Sequence, residues 1–287
     1  MKRSRTGFWL FAFPTMVPFL TMLILPALSG MYYAMTDWNG MRQQINWVGL
    51  ENFKACFSDQ QFFHSFVFTA KFALVAVIAV NFLGFFYALL VTQGCKGSNL
   101  VRSILFMPNL IGGVLLGFTW QFVFVQAFDA IGVSLGIPAL RHWLSTESTG
   151  FWGLIIMLSW QSGGYMMLIY IAQLSAIPDQ LTEAARIDGA NSFQVLKNIT
   201  LPLMVPAFTT CLFMTLAFSF KIFDYNISLT NGNPLRTTEM LALNVYKEAY
   251  TYNNMGYAQA KAIIYLLIVA IITLSQLYLT KRREVEL

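Results

Sequence analysis

The chain has 287 residues, of which 57% are hydrophobic, 16% aromatic and only 11% charged, whereas a soluble domain carries about 25% charged residues. So little polar surface excludes an ordinary cytosolic enzyme, a disordered chain and a secreted disulfide scaffold, and defines an integral membrane protein, which the long charge-free runs below make an all-α one. The net charge of +5 does not point to nucleic acid, because the basic residues gather at the termini and in short segments rather than along one face.

Cys56, Cys95 and Cys211 are scattered, and the two histidines, His64 and His142, have no ligand neighbours in sequence, so no metal site is expected. Lys2, Arg3 and Arg5 precede an uncharged run from Gly7 to Thr36. That run is too long for a signal-peptide core and is expected to be an uncleaved first span.

A bilayer core about 30 Å thick needs roughly 20 apolar residues in a helix. The charge-free gaps 7–36, 72–95, 103–128, 148–178, 198–220 and 262–280 predict six transmembrane helices, near 9–34, 66–92, 104–127, 151–175, 206–228 and 259–280, in a single domain over 1–287. With the N-terminus inside, the inner segments hold Lys2, Arg3, Arg5, Lys96, Arg102, Arg186, Lys197, Lys281, Arg282 and Arg283. The outer segments hold Arg42, Lys54, Arg141, Arg236, Lys247 and Lys261. Ten against six places both termini in the cytoplasm. No cysteine pair can then bridge, since Cys56 is outside, Cys95 inside and Cys211 within a span.

The inner segment 177–205 is long and helix-forming. Asp179 is placed to cap a helix that contains Glu183, Ala184 and Ala185, and Gly189 suits a left-handed stop. Phe193, Leu196 and Ile199 recur on a second short helix, which Pro202 is expected to end. Such an amphipathic helix–turn–helix either docks in a groove on another protein or lies on lipid headgroups. Arg186 and Lys197 are few for a lipid-lying helix, which favours docking.

Glu183-Ala184-Ala185, Gly189, Ile199 and Leu201-Pro202 stand at the spacing of the EAA loop, and the chain resembles the permease subunits of binding-protein-dependent ABC importers. The resemblance implies a type I ABC importer permease fold. It also implies that Glu183, Ala184, Ala185, Asp188, Gly189, Ile199 and Pro202 form a coupling helix seated in a cleft of an ATP-hydrolysing subunit. Trp47-Val-Gly-Leu-Glu-Asn-Phe53, Arg102-Ser-Ile-Leu-Phe-Met-Pro108 and Phe223-Asp224 through Pro234 are similar to phrases of carbohydrate permeases of the maltose/glycerol-phosphate type. Asn233 stands where the last phrase usually has a second glycine.

That likeness implies import of a carbohydrate, a di- or oligosaccharide, delivered by an extracytoplasmic solute-binding protein. It implies a heterodimer with a second permease and two ATP-binding subunits in a bacterial or archaeal cell membrane. Glycerol phosphate or a polyol is the alternative cargo. No G-x-x-x-x-G-K-[ST] motif occurs, so no cofactor is expected in this chain, and ATP with Mg would be held by the partners. Residues aligned with parts of spans four and five contact the sugar in the maltose permease. The corresponding candidates are Gln161, Tyr165, Thr215, Phe218 and Ser219, which supply an aromatic face and amide or hydroxyl groups. Lys221 and Asp224, three apart, are expected to neutralise each other on one helix face, and Asn81 and Asn109 to bridge helices. Gly163 and Gly164 suit a packing face. A secondary transporter would need an intramembrane acid, for which Asp224 is the one candidate; a membrane enzyme would need a catalytic set that the spans lack.

Overall fold

A computed structural model describes residues 5–92 and 97–281, with side chains from residue 12 onward in the first helix. Lys2, Arg3, Cys95, Lys96, Arg282, Arg283 and the Arg5 side chain, which enter the charge count and the cysteine reading, lie outside the described set. The described residues form twelve α-helices, two short 3₁₀ turns (Met107–Leu110 and Pro138–Leu140) and no strand beyond one antiparallel bridge, Thr36–Trp47.

Helix α1 spans 5–33 through a π turn at Leu20–Ile24, and α2 is Glu51–Ser58. Helix α3, Gln60–Thr92, begins six residues before the expected span because Asp59 caps it, its Oδ1 accepting the Phe62 N–H at 2.9 Å. The span expected over 104–127 is not one helix. Helix α4 (Ser98–Phe106) runs into a 3₁₀ turn at Met107–Leu110, the backbone extends at Ile111 and Gly112, and α5 (113–134) restarts at Gly113. Helix α6 is Glu147–Leu174. Helices α7 (Asp179–Ile187) and α8 (Ser192–Leu203) precede α9 (Val205–Phe220), from which α8 is bent by 66°.

The fifth span, expected over 206–228, is likewise broken. Helix α9 stops at Phe220 and α10 (Asp224–Leu229) restarts after three residues. Helices α11 (241–251, its second half a π turn) and α12 (Met255–Lys281) complete the chain. Five helices are long and apolar enough to cross a membrane, and the bent α8–α9 pair supplies a sixth.

The described residues divide into two compact units, 1–63 with 244–267 and 64–243 with 268–287. The second has a core built on Phe72, Val80, Leu154, Met166, Tyr170 and Cys211. Asn81 does bridge helices there. Its Nδ2 donates to Thr215 Oγ1 at 3.2 Å, and its Oδ1 accepts from Tyr170 Oη at 2.7 Å, which ties α3 to α9 and α6.

The first unit is organised by a charge. Lys261, counted above as an outer-loop cation, is only 1% exposed on α12. Its Nζ meets Asp59 Oδ2 and Glu248 Oε2, each at 2.8 Å, and Asn244 Oδ1 at 3.2 Å. Its ammonium also stands 4.5 Å from the centre of the Tyr257 ring, a cation–π distance. Tyr257 Oη donates to Asp59 Oδ2 at 3.0 Å, and Asn254 Nδ2 to Glu248 Oε1 at 2.8 Å. A linear tally of charges cannot see this burial. Desolvation pulls the Asp59 carboxyl upward, but the Lys261 ammonium and the Phe62 N–H outweigh it and hold the group below the ordinary carboxylate range. A depressed carboxylate contributes stability that is complete above its unfolded value and lost as pH falls through the folded one. Acid, not base, is therefore expected to loosen this contact.

Replacing Lys261 by Met strands the buried Glu248 carboxylate and the half-buried Asp59 carboxylate and is expected to cost about 3 kcal/mol, read as a lowered midpoint in thermal unfolding of the detergent-solubilised protein. Adding Asp59→Asn and Glu248→Gln should restore most of the loss. A single variant that melts like wild type would remove this cluster as the organiser of the unit.

Candidate functional site

Two features carry the chemistry, and both lie in the second unit. The first is the segment between α6 and α9. Pro178, not Asp179, caps α7; Asp179 is its first residue, with a carboxylate favourable at the positive helix end. The helix stops in a Schellman arrangement, in which Gly189 N–H donates to Arg186 O at 3.1 Å and Ala190 N–H to Ala185 O at 2.9 Å. This stop requires Gly189 in the left-handed region, at φ +85°. Helix α8 then opens with a capping box, Asn191 Oδ1 accepting Gln194 N–H at 2.9 Å and Gln194 Oε1 accepting Asn191 N–H at 2.7 Å.

Glu183, Ala184, Asp188, Gly189 and Pro202 are exposed, whereas Ala185 and Ile199 are half-buried. Ile187 and Phe193 stand out as 86% and 70% exposed. Pro202 does not end α8. A π turn at Leu196–Thr200 precedes it, which removes the ordinary i−4 pattern that proline would violate. The helix stops instead at Met204, two residues before Pro206, and Gln173 Nε2 satisfies the freed Leu203 carbonyl at 3.0 Å.

The second feature is a cleft of about 330 Å³, at the small end of ligand-pocket sizes. Gln161 and Tyr165 line it from the middle of the 28-residue α6, so the cleft lies near half depth in a helix about 42 Å long. Phe218 and Lys221 enter from the end of α9, Asp224 from the start of α10, and Asn109 from the 3₁₀ turn before α5.

Three of the five residues expected to line a solute path thus meet, Gln161, Tyr165 and Phe218. Thr215 and Ser219 do not. Both are buried, and their hydroxyls donate to the carbonyls of Cys211 and Thr215 one turn back, each at 2.7 Å. Gln161 touches the cleft but is committed to the scaffold. Its Nε2 donates to Ile111 O at 3.0 Å, and its Oε1 accepts from Tyr225 Oη.

Lys221 and Asp224 correct another expectation. No helix face joins them, since α9 ends at Phe220, and neither side chain has an ion-pair or hydrogen-bond partner among the described residues. Asn109, expected to bridge helices, also faces the cleft. The signal that could have identified Lys221 and Asp224 is charge at bilayer depth, which by default marks a functional site.

Gly164 sets how closely α4 and α6 approach. A Cβ there would fall 1.9 Å from the Leu105 carbonyl oxygen, whereas one on Gly163 would meet the Tyr87 ring at an ordinary 3.4 Å.

A broken membrane span lining a largely apolar cleft with a few polar groups, joined at its other end to an exposed helix pair, describes a transport permease. The family model for the binding-protein-dependent transport system inner membrane component matches residues 80–285, and the chain belongs to that family. It is 48% identical over 280 residues to a probable starch degradation products transport system permease protein of Thermoanaerobacterium thermosulfurigenes, covering 98% of this chain and 96% of that one. It is 30% identical over 278 residues to a multiple sugar-binding transport system permease protein of Streptococcus mutans, covering 96% of each. In fold it matches a chain of a bacterial alginate ABC transporter solved with an alginate pentasaccharide-bound periplasmic protein, with a TM-score of 0.84, 20% identity and coverage of 96% and 94%. The chain is therefore a multi-pass membrane permease of an ABC importer.

Gly164→Ala should prevent the α4–α6 approach, because a backbone oxygen cannot rotate away, and cost more than about 3 kcal/mol. Gly163→Ala should be nearly neutral. Membrane yield and melting temperature of the two variants measure the contrast; equal behaviour would refute the close crossing.

Proposed function

We propose that this permease moves a carbohydrate, a di- or oligosaccharide, from an extracytoplasmic solute-binding protein through the mid-depth cleft into the cytoplasm. The observation that carries the reading is the unwound stretch Lys221–Phe223 at the cleft. Irregular backbone at membrane depth is tolerated where it lines a cavity. Tyr165 and Phe218 offer ring faces for the C–H side of a sugar, and the amide of Asn109 offers a donor and an acceptor. The starch-product and multiple-sugar relatives support this cargo class.

The remaining machinery sits on partners: a second permease, two ATP-binding subunits that hold ATP and Mg, and the binding protein. Both termini face the cytoplasm. The charge balance supports this side more strongly once Lys261 is set aside as buried, leaving ten basic residues against five.

On the cytoplasmic side, the segment 177–205 serves as the coupling loop. Ile187 and Phe193 present the exposed apolar contact for an ATP-binding subunit. Glu183, Ala184 and Ala185 build the helix that carries Ile187, while Asp188 and Gly189 close it. Ile199 and Pro202 lie on the helix that leads to the 66° bend before α9. Closure of the ATP-binding subunits would push α8, and through it α9, whose far end borders the cleft.

The test is uptake of labelled maltotriose, larger maltodextrins, a polyol and glycerol phosphate by cells lacking this gene and by complemented cells. Loss confined to the maltodextrins is expected; loss confined to glycerol phosphate would replace the cargo. Gly189→Asp should leave the chain in the membrane yet abolish uptake, because a side chain at φ +85° breaks the stop and a new charge meets the ATP-binding subunit. Unchanged uptake in that variant would sink the coupling role.

A further inference from the structure

Lys221 and Asp224 are the basic and the acidic side chain among the described residues that line the cleft, and the fold has left both of them open to it. Contrast with Lys261 makes the point. Where this chain buries an ammonium for structural reasons, it surrounds it with two carboxylates, an amide and an aromatic ring within a few ångströms. Lys221 and Asp224 instead stand at the two lips of the break in span five, exposed, their side chains with no ion-pair or hydrogen-bond partner among the described residues.

Asp224 is held in place by packing. A Cβ on Gly113 would come within 2.9 Å of Asp224 Cβ and 3.3 Å of its Oδ2, so the carboxylate lies against the first turn of α5. There the helix dipole favours negative charge.

We infer that Lys221 and Asp224 are specificity-determining residues that select an uncharged polyhydroxylated solute and reject an anionic one; the inference rests on the cleft being the solute path. An ammonium only donates and a carboxylate only accepts, so the pair engages groups that do both. Sugar hydroxyls meet that demand, with one hydroxyl or ring oxygen accepting from Lys221 while neighbouring hydroxyls donate to Asp224. A uronate or phosphate gains Lys221 but must share a cleft of about 330 Å³ with the Asp224 carboxylate, and like charges brought into one cleft are penalised. The aromatic rings of Tyr165 and Phe218 are indifferent to this distinction, which leaves the charge pair to make it.

The experiment is equilibrium binding of labelled maltotriose to the complete importer in nanodiscs, with competition by unlabelled maltotriose and by its counterpart oxidised at C6 to the uronate. Wild type is expected to bind the uronate at least about tenfold more weakly; equal or tighter binding would overturn the inference before any variant is made. Asp224→Asn, which keeps size and shape, should weaken maltotriose about tenfold and narrow or abolish the penalty on the uronate. Lys221→Met should weaken maltotriose without relieving that penalty. If Tyr165→Ala abolishes binding while both charge variants bind both sugars as wild type does, the solute path stands and the charge-pair inference fails. If Tyr165→Ala and both charge variants all bind as wild type does, the cleft itself is not the solute path.

Discussion

In hydrocarbon every peptide carbonyl needs a partner from within the protein, and this requirement governs where the helices of the permease can stop. Three glutamines inside the apolar bundle answer it. Gln161 donates to Ile111 O, where the chain extends before α5; Gln173 donates to Leu203 O, at the bend before α9; Gln121 donates to Leu229 O, at the end of α10. In the first unit Asn52 does the same for Ala34 O and Thr36 O, where α1 ends. Each amide stands in for the water that a soluble protein would use. The breaks are therefore built into the bundle, and the cleft exists because two of them, at Ile111 and after Phe220, border α6 near its middle.

The same economy explains the charges. A buried ammonium is tolerated only when its hydrogen-bonding capacity is filled, and Lys261 fills it from Asp59 before α3 and from Glu248 and Asn244 on α11. The thiol of Cys56 belongs to that surround, and burial pushes it up to about 11, so it stays protonated and inert at neutral pH. Charges at the cleft are left unmatched among the described residues, in contrast to this structural ion of the same chain.

Much of this was legible in the residues alone where the determinant is local. Gly189 signals a helix stop through contacts three to five residues apart, and that stop forms. Long charge-free runs likewise announce helices without knowledge of neighbours. What escaped the sequence depends on distant partners. The break at Ile111 is stabilised by a glutamine fifty residues away, so Pro108 and the Gly112–Gly113 pair mark a bend without announcing that the backbone extends between them. Thr215 and Ser219 have the right chemistry for a sugar, but their helical phase turns them into the α9 packing face and onto carbonyls of their own helix. Pairing Lys221 with Asp224 assumed an unbroken helix, and counting Lys261 among the loop cations assumed that a charge near a span's end stays in water.

The bend at Met204 has a mechanical consequence. Helix α9 contains 16 residues, which makes it a rod about 24 Å long, hinged at the end that joins α8 and bordering the cleft at the other. A tilt of about 10° about that elbow sweeps the Lys221 end through about 4 Å, longer than a hydrogen bond. A small rocking of the crank arm is thus amplified into the making or breaking of every polar contact at the cleft's lip, with no need for the rod itself to deform.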